Sequence, residues 1–113
     1  MDPKKEEDLY QSLLQELRRG TIVLTVLSQL HTPQYGYSLV VLLEKKGIPV
    51  EAGTLYPLLR RLEKQTLLES HWHTETSKPR KYYQLSETGK KMYENLRNEW
   101  FQMTKNMEEI LKE

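Results

Sequence analysis

Between residues 53 and 64 the chain reads Gly53-Thr54-Leu55-Tyr56-Pro57-Leu58-Leu59-Arg60-Arg61-Leu62-Glu63-Lys64. At helical spacing Leu55, Leu58, Leu59 and Leu62 share one apolar stripe, the pattern of a helix lying on a core. Turned away from it are Gly53, Pro57, Arg60 and Lys64, with Tyr56 and Arg61 on the flanks. Small residues at the start of a helix let its backbone approach another surface closely. Cations further along, with the hydroxyls of Thr54 and Tyr56, can meet phosphates and base edges in a major groove. An ordinary amphipathic surface helix with solvated charges has the same pattern, so the helix alone does not decide.

Downstream, Leu67-Leu68-Glu69-Ser70-His71-Trp72-His73 and Arg80-Lys81-Tyr82-Tyr83-Gln84-Leu85 flank the polar run Thr74-Glu75-Thr76-Ser77-Lys78-Pro79. Both flanks alternate and carry aromatics, which predicts a two-stranded hairpin with a longish loop. Lys78, Arg80 and Lys81 lie at its tip and on the returning strand. A helix pair followed by a basic-tipped hairpin is a winged helix-turn-helix arrangement, with the hairpin placing positive charge beside the groove that the recognition helix would occupy. Lys81 and Tyr83 alternate to the face opposite Arg80 and Tyr82, so these four cannot all turn the same way.

These residues resemble the PadR-like transcriptional regulators. The resemblance rests on Tyr35-Gly36-Tyr37, on Gly53 to Leu62, and on Pro79-Arg80-Lys81-Tyr82-Tyr83-Gln84-Leu85-Ser86-Glu87-Thr88-Gly89, in that order across roughly residues 18 to 90. It implies a mainly α fold with a small β-hairpin: a winged helix-turn-helix over residues 18–85 and a C-terminal dimerisation helix over 86–113, preceded by an N-terminal amphipathic helix over 1–17. It also implies transcriptional regulation as a homodimer on double-stranded DNA, and for some members a response to phenolic or planar hydrophobic compounds. The chain departs from the family pattern at Thr66, where a helix-ending Gly is usual, and at Ser77, where a wing Gly is common. Thr66 is therefore expected to end its helix without the left-handed conformation that Gly allows.

The remaining elements must hold these pieces in place. Tyr10, Leu13, Leu14 and Leu17 recur at helical spacing, a short amphipathic helix that packs on its own subunit or a neighbour. Thr21 to Leu30 reads as a buried helix, although its β-branched content also suits a strand. His31-Thr32-Pro33-Gln34-Tyr35 reads as a loop, residues 36–46 as the second helix of the motif, which precedes the recognition helix, and Gly47 as its C-terminal cap. Pro57 is acceptable if it lies in the first helical turn, where a missing N–H costs little. From Ser86, a suitable N-cap, Tyr93, Leu96, Trp100, Met103, Met107 and Ile110 follow at steps of 3, 4, 3, 4 and 3, a heptad seam for dimerisation.

Bulk properties bound the alternatives. The 113 residues suffice for one small domain. Net charge is only +1; residues 51–85 hold six cations against four acids, a local surplus of two. A site so weakly basic needs two-fold avidity. There is no cysteine, and no apolar run long enough to cross a bilayer, so no thiol chemistry and no membrane partner are expected. The start has no secretory pattern, and a cytoplasmic location is the simplest expectation. No nucleophile elbow, phosphate loop or paired-carboxylate pattern supports an enzyme, and no cofactor is expected. His71 and His73 stand at a spacing that metals can use, without further ligands to complete a site.

The sequence thus predicts DNA contacts from Tyr37, Thr54, Tyr56, Pro57, Arg60, Lys64, Lys78, Arg80 and Lys81. Tyr56 is open to a phosphate or thymine-methyl contact and equally to packing on the wing; Tyr37 is open to a phosphate contact or to burial against the recognition helix. Trp100, Phe101 and Met103 have the flat and polarisable chemistry to line a site for a planar hydrophobic effector, and Trp100 equally suits a dimer core. The function expected is repression from a palindromic operator. The competing readings are a winged-helix protein-interaction module that does not bind DNA, and a protein that sequesters an effector.

Overall fold

The core is a cluster of thirteen buried apolar side chains, eight of them fully enclosed: Val26, Leu27, Leu30, Leu39, Leu43, Leu55, Leu59 and Leu62. All but Leu30 come from three short helices that cannot bury their stripes singly. The computed structural model describes residues 1–113. It runs α1 (Pro3–Arg19), α2 (Ile22–Ser28), β1 (Gln34–Tyr35), α3 (Gly36–Lys45), α4 (Ala52–Lys64), β2 (Leu68–His73), β3 (Arg80–Leu85) and α5 (Glu87–Leu111). The fold is mainly α with a small antiparallel sheet, as the residues predicted. The segment 21–30 is helical rather than extended, as α2 over Ile22–Ser28.

The predicted hairpin is present, in the register Leu68↔Leu85, Ser70↔Tyr83 and Trp72↔Lys81. A third strand joins it. Gln34 and Tyr35, expected in a loop, pair with Tyr83 and Tyr82, giving the order β1-β3-β2. Two residues are too few to show alternation, and only the neighbouring strand makes them one.

The two helices of the helix-turn-helix end in the same way. After α3, Gly47 has φ 80°, with its N–H donating to Glu44 and that of Ile48 to Leu43. After α4, Thr66 has φ 65°, with its N–H donating to Glu63 and that of Leu67 to Leu62. Both are Schellman closures. Thr66 therefore takes the left-handed conformation that its side chain was expected to forbid, because the turn into β2 over-determines it. Ser77 has no such strain. A β-branched residue with positive φ costs about 1–2 kcal/mol. Thr66→Gly should accordingly raise stability by about 1 kcal/mol, seen as a thermal midpoint a few degrees higher. A lower midpoint would mean that the Thr66 hydroxyl, which donates to the Gln65 carbonyl at 2.6 Å, outweighs the strain.

The ends of the chain stand away from this core. Helix α1 starts cleanly, with Asp2 as N-cap and Pro3 at its first position, yet buries no residue; Leu9, Tyr10, Leu13 and Leu17 are exposed. Along α5 only Gly89 is buried. The radius of gyration is 17.0 Å, against about 13 Å for a compact domain of this length. The accessible surface is 8623 Å², against about 6,500 Å² for a globular monomer of this mass.

Candidate nucleic-acid interface

Helix α4 presents one side to the core and the other to solvent, as its spacing requires. Leu55, Leu58, Leu59 and Leu62 are buried, whereas Gly53, Thr54, Tyr56, Pro57, Arg60, Arg61 and Lys64 are exposed. Pro57 corrects one expectation. The helix begins at Ala52, so Pro57 is its sixth residue and lies in the second turn. It cannot donate to the Gly53 carbonyl one turn back, and that acceptor is left on the exposed face. Solvent there removes most of the cost, which is why a proline is tolerated inside this helix.

Exposure removes the buried alternative for Tyr37 and leaves the phosphate contact, while Tyr56 has a packing partner other than the wing. Tyr56 packs neither on the wing nor fully outward. A Cβ added to Gly36 would stand 2.6 Å from Tyr56 Cζ, so its ring lies over the bare backbone at the start of α3, and the residue keeps 38% of its surface exposed. Tyr37 is not buried against α4; it is 65% exposed on the first turn of α3.

The cations divide into free and engaged. Arg60, Arg61, Lys64 and Lys78 are exposed and make no ion pair. Arg80 lies over the Tyr35 ring, its guanidinium carbon 4.5 Å from the centroid. Lys81 is only half-exposed: its Nζ donates to Glu63 Oε1 at 3.0 Å and sits 5.1 Å from the centre of the Tyr83 ring. The other Glu63 oxygen accepts from Ser70 Oγ. Glu63 is held below the ordinary carboxylate value of 4.5, first by the Ser70 hydroxyl and then by Lys81. Lys81 is raised above 10.5, first by its bond to Glu63. The sign follows: the contact is complete above pH 4.5 and fails only as pH falls through the lowered Glu63 value; at the alkaline end it fails only as pH rises through the raised Lys81 value.

Several contacts were not anticipated from the sequence. Tyr35 and Tyr82 meet edge to face at 5.5 Å, with His71 and His73 against Tyr82 on the outer face of the sheet. On the opposite face, Trp72 stands beyond the core and is 62% exposed. Alternation along β3 separated Arg80 and Tyr82 from Lys81 and Tyr83, and the register agrees; the Gly36–Tyr56 and Glu63–Lys81 contacts left no local signal.

Trp100 and Phe101 help line a cleft of about 240 Å³ between α2, the end of α3 and α5, together with Leu24, Lys46, Ile48, Tyr93 and Arg97. Met103 does not reach it; it lies further along α5 and is exposed. Of the proposed seam, Tyr93 is partly buried against the core, while Leu96, Trp100, Met103, Met107 and Ile110 form an exposed apolar line.

The family model described as the transcriptional regulator PadR-like family matches residues 23–95. The chain belongs to the PadR-like family. This PadR-like chain is similar to the crystal structure of a PadR family transcriptional regulator from Eggerthella lenta, at 46% identity over 96% of each chain with a TM-score of 0.90. It is also similar to a PadR family transcription regulator from Clostridium difficile, at 31% identity over 80% of this chain and 98% of that one, TM-score 0.75. Bacillus subtilis PadR, crystallised in complex with operator DNA, shares the fold at 17% identity, over 67% of this chain and 45% of that one, TM-score 0.62. A comparison with curated proteins gave no match. No helix of the chain is long and apolar enough to cross a membrane.

Proposed function

We propose that this PadR-like chain is a homodimeric, sequence-specific DNA-binding repressor. The observation that carries this reading is the exposed face of α4, where small residues and a free backbone carbonyl precede three unpaired cations, Arg60, Arg61 and Lys64. Thr54, Tyr56 and Pro57 sit where close approach to a groove is needed, with Tyr37 beside the backbone and Lys78 and Arg80 on the wing. Two such helices, held about one turn of B-DNA apart by the α5 seam, would read a palindromic operator. The solved complex of Bacillus subtilis PadR with operator DNA supports the use of this fold for that purpose.

Arg60→Ala tests the assignment. Binding to the chain's own upstream DNA should weaken roughly tenfold, and the slope of log affinity against log salt should flatten by about 2 for a dimer, one contact per subunit. Unchanged affinity with an unchanged slope would retire Arg60 as a contact.

Ligand response fits the cleft beside Trp100 and Phe101. It touches both the long helix and the turn that leads into α4, through Lys46 and Ile48. A planar compound seated there, or between two Trp100 side chains at the seam, would favour one of two subunit arrangements and so move the recognition helices out of register. The pairing of Lys81 with Glu63 favours a second reading, a protein-interaction module, since it leaves fewer cations free to meet phosphate. Duplex binding in dilute buffer separates the two.

A further inference from the structure

We infer that Glu63 is a positioning residue for DNA recognition, a clasp that makes the recognition helix and the wing one rigid reader; this rests on the DNA-binding reading above. The inward faces of the wing strands run Leu68, Ser70, Trp72 and Leu85, Tyr83, Lys81. Leu68, Leu85 and Tyr83 are buried, whereas Trp72 is largely exposed, so Ser70 and Lys81 form the outermost contact that the hairpin keeps with α4. Beyond it the loop Thr74–Pro79 is fully exposed. β1 pairs with β3 only at Tyr82 and Tyr83; beyond them the wing is a two-stranded hairpin, which has little rigidity of its own. One carboxylate holds both strands, accepting from Ser70 on β2 and from Lys81 on β3.

The sign of the charge makes this informative. An acid between Arg61 and Lys64 repels the phosphates that its neighbours attract, and Glu63 forms no ion pair with those neighbours. Its contribution must be geometric. Simple electrostatics predicts that Glu63→Gln binds any duplex more tightly, by removing an acid and releasing Lys81. The clasp predicts lost discrimination besides, because a swinging wing occupies its productive pose for only part of the time.

The experiment compares the full-length chain with Glu63→Gln, Lys81→Gln and the milder Ser70→Ala. Each is titrated over a salt series against a duplex from the chain's own upstream DNA and a shuffled duplex of equal composition, with circular dichroism melts to establish folding. For Glu63→Gln the preference for the native duplex should fall about tenfold, while the salt slope steepens by about 1 per subunit as Lys81 becomes free to meet phosphate. Lys81→Gln should lose the same preference without flattening the slope, and Ser70→Ala should lose part of it. Preference retained by folded Glu63→Gln and Ser70→Ala overturns the clasp, as does a slope flattened by Lys81→Gln, which would make Lys81 an ordinary phosphate ligand. A wild-type chain that ignores both duplexes in dilute buffer defeats the DNA reading itself, a result distinct from either of these.

Discussion

Gly89→Ala will destabilise the protein by about 3 kcal/mol or more, lowering its thermal midpoint by roughly 10 °C. A methyl group built on Gly89 would stand 2.0 Å from the Leu67 carbonyl oxygen and 3.2 Å from Leu85 Cδ2. The oxygen is backbone and cannot rotate away. It accepts from the Ser86 N–H at 3.0 Å, next to Ser86 Oγ donating to the Thr66 carbonyl at 2.6 Å. Ser86 in turn caps α5, its hydroxyl accepting from the Gly89 N–H at 2.9 Å. The end of α4, the start of β2, the end of β3 and the start of α5 are therefore joined within a few ångströms. Moving α5 outward to admit a methyl would break the cap and the Ser86 bonds together. Gly20→Ala is the control, since nothing lies within 4 Å of its added methyl and its backbone is already helical. A Gly89→Ala protein melting with the wild type would show that α5 does not approach Leu67 so closely.

That joint illustrates where the sequence is legible. Periodicity reads a surface against a core: Leu55, Leu58, Leu59 and Leu62 were assigned to the inside of α4 by spacing alone, and all four are buried. Ser86 was assigned as an N-cap by its type and position, and it caps α5. Both features are local, decided within one or two turns of chain. What escaped was set by tertiary partners. Glu63 and Lys81 meet across 18 positions, so no helical or cross-strand pairing rule connects them. Tyr56 finds Gly36 because the preceding turn brings two helices together. Thr66 is left-handed because Leu62, Glu63 and the following strand leave the backbone no other closure. The start of α4 at Ala52 was legible too, and it makes Pro57 the sixth residue, past the first turn in which a missing N–H costs nothing.

Introducing Met103→Glu and Met107→Glu together should give a folded single subunit and lower operator affinity at least a hundredfold. The core does not need these side chains. Both are more than half exposed in the isolated chain, in line with Leu96, Trp100 and Ile110. Helix α1 carries a second unburied stripe, Leu9, Tyr10, Leu13 and Leu17. The subunit as a whole shows roughly 2,000 Å² more surface than a globular chain of its mass would. Accessible surface of that order is what a permanent partner covers. Two carboxylates placed in a continuous seam would have to leave water when the subunits pair, and that desolvation opposes association. Glutamate is also a good helix former, so α5 itself should persist. Linked half-sites gain about 10²–10⁴ in affinity over one alone, and a site with a local surplus of two positive charges has little else to draw on. Sedimentation should give the 13.5 kDa of one chain with an unchanged circular dichroism spectrum, and the wild type should give twice that mass. A double variant that still sediments as a pair would remove the seam from the interface and leave α1 as the element that joins the subunits.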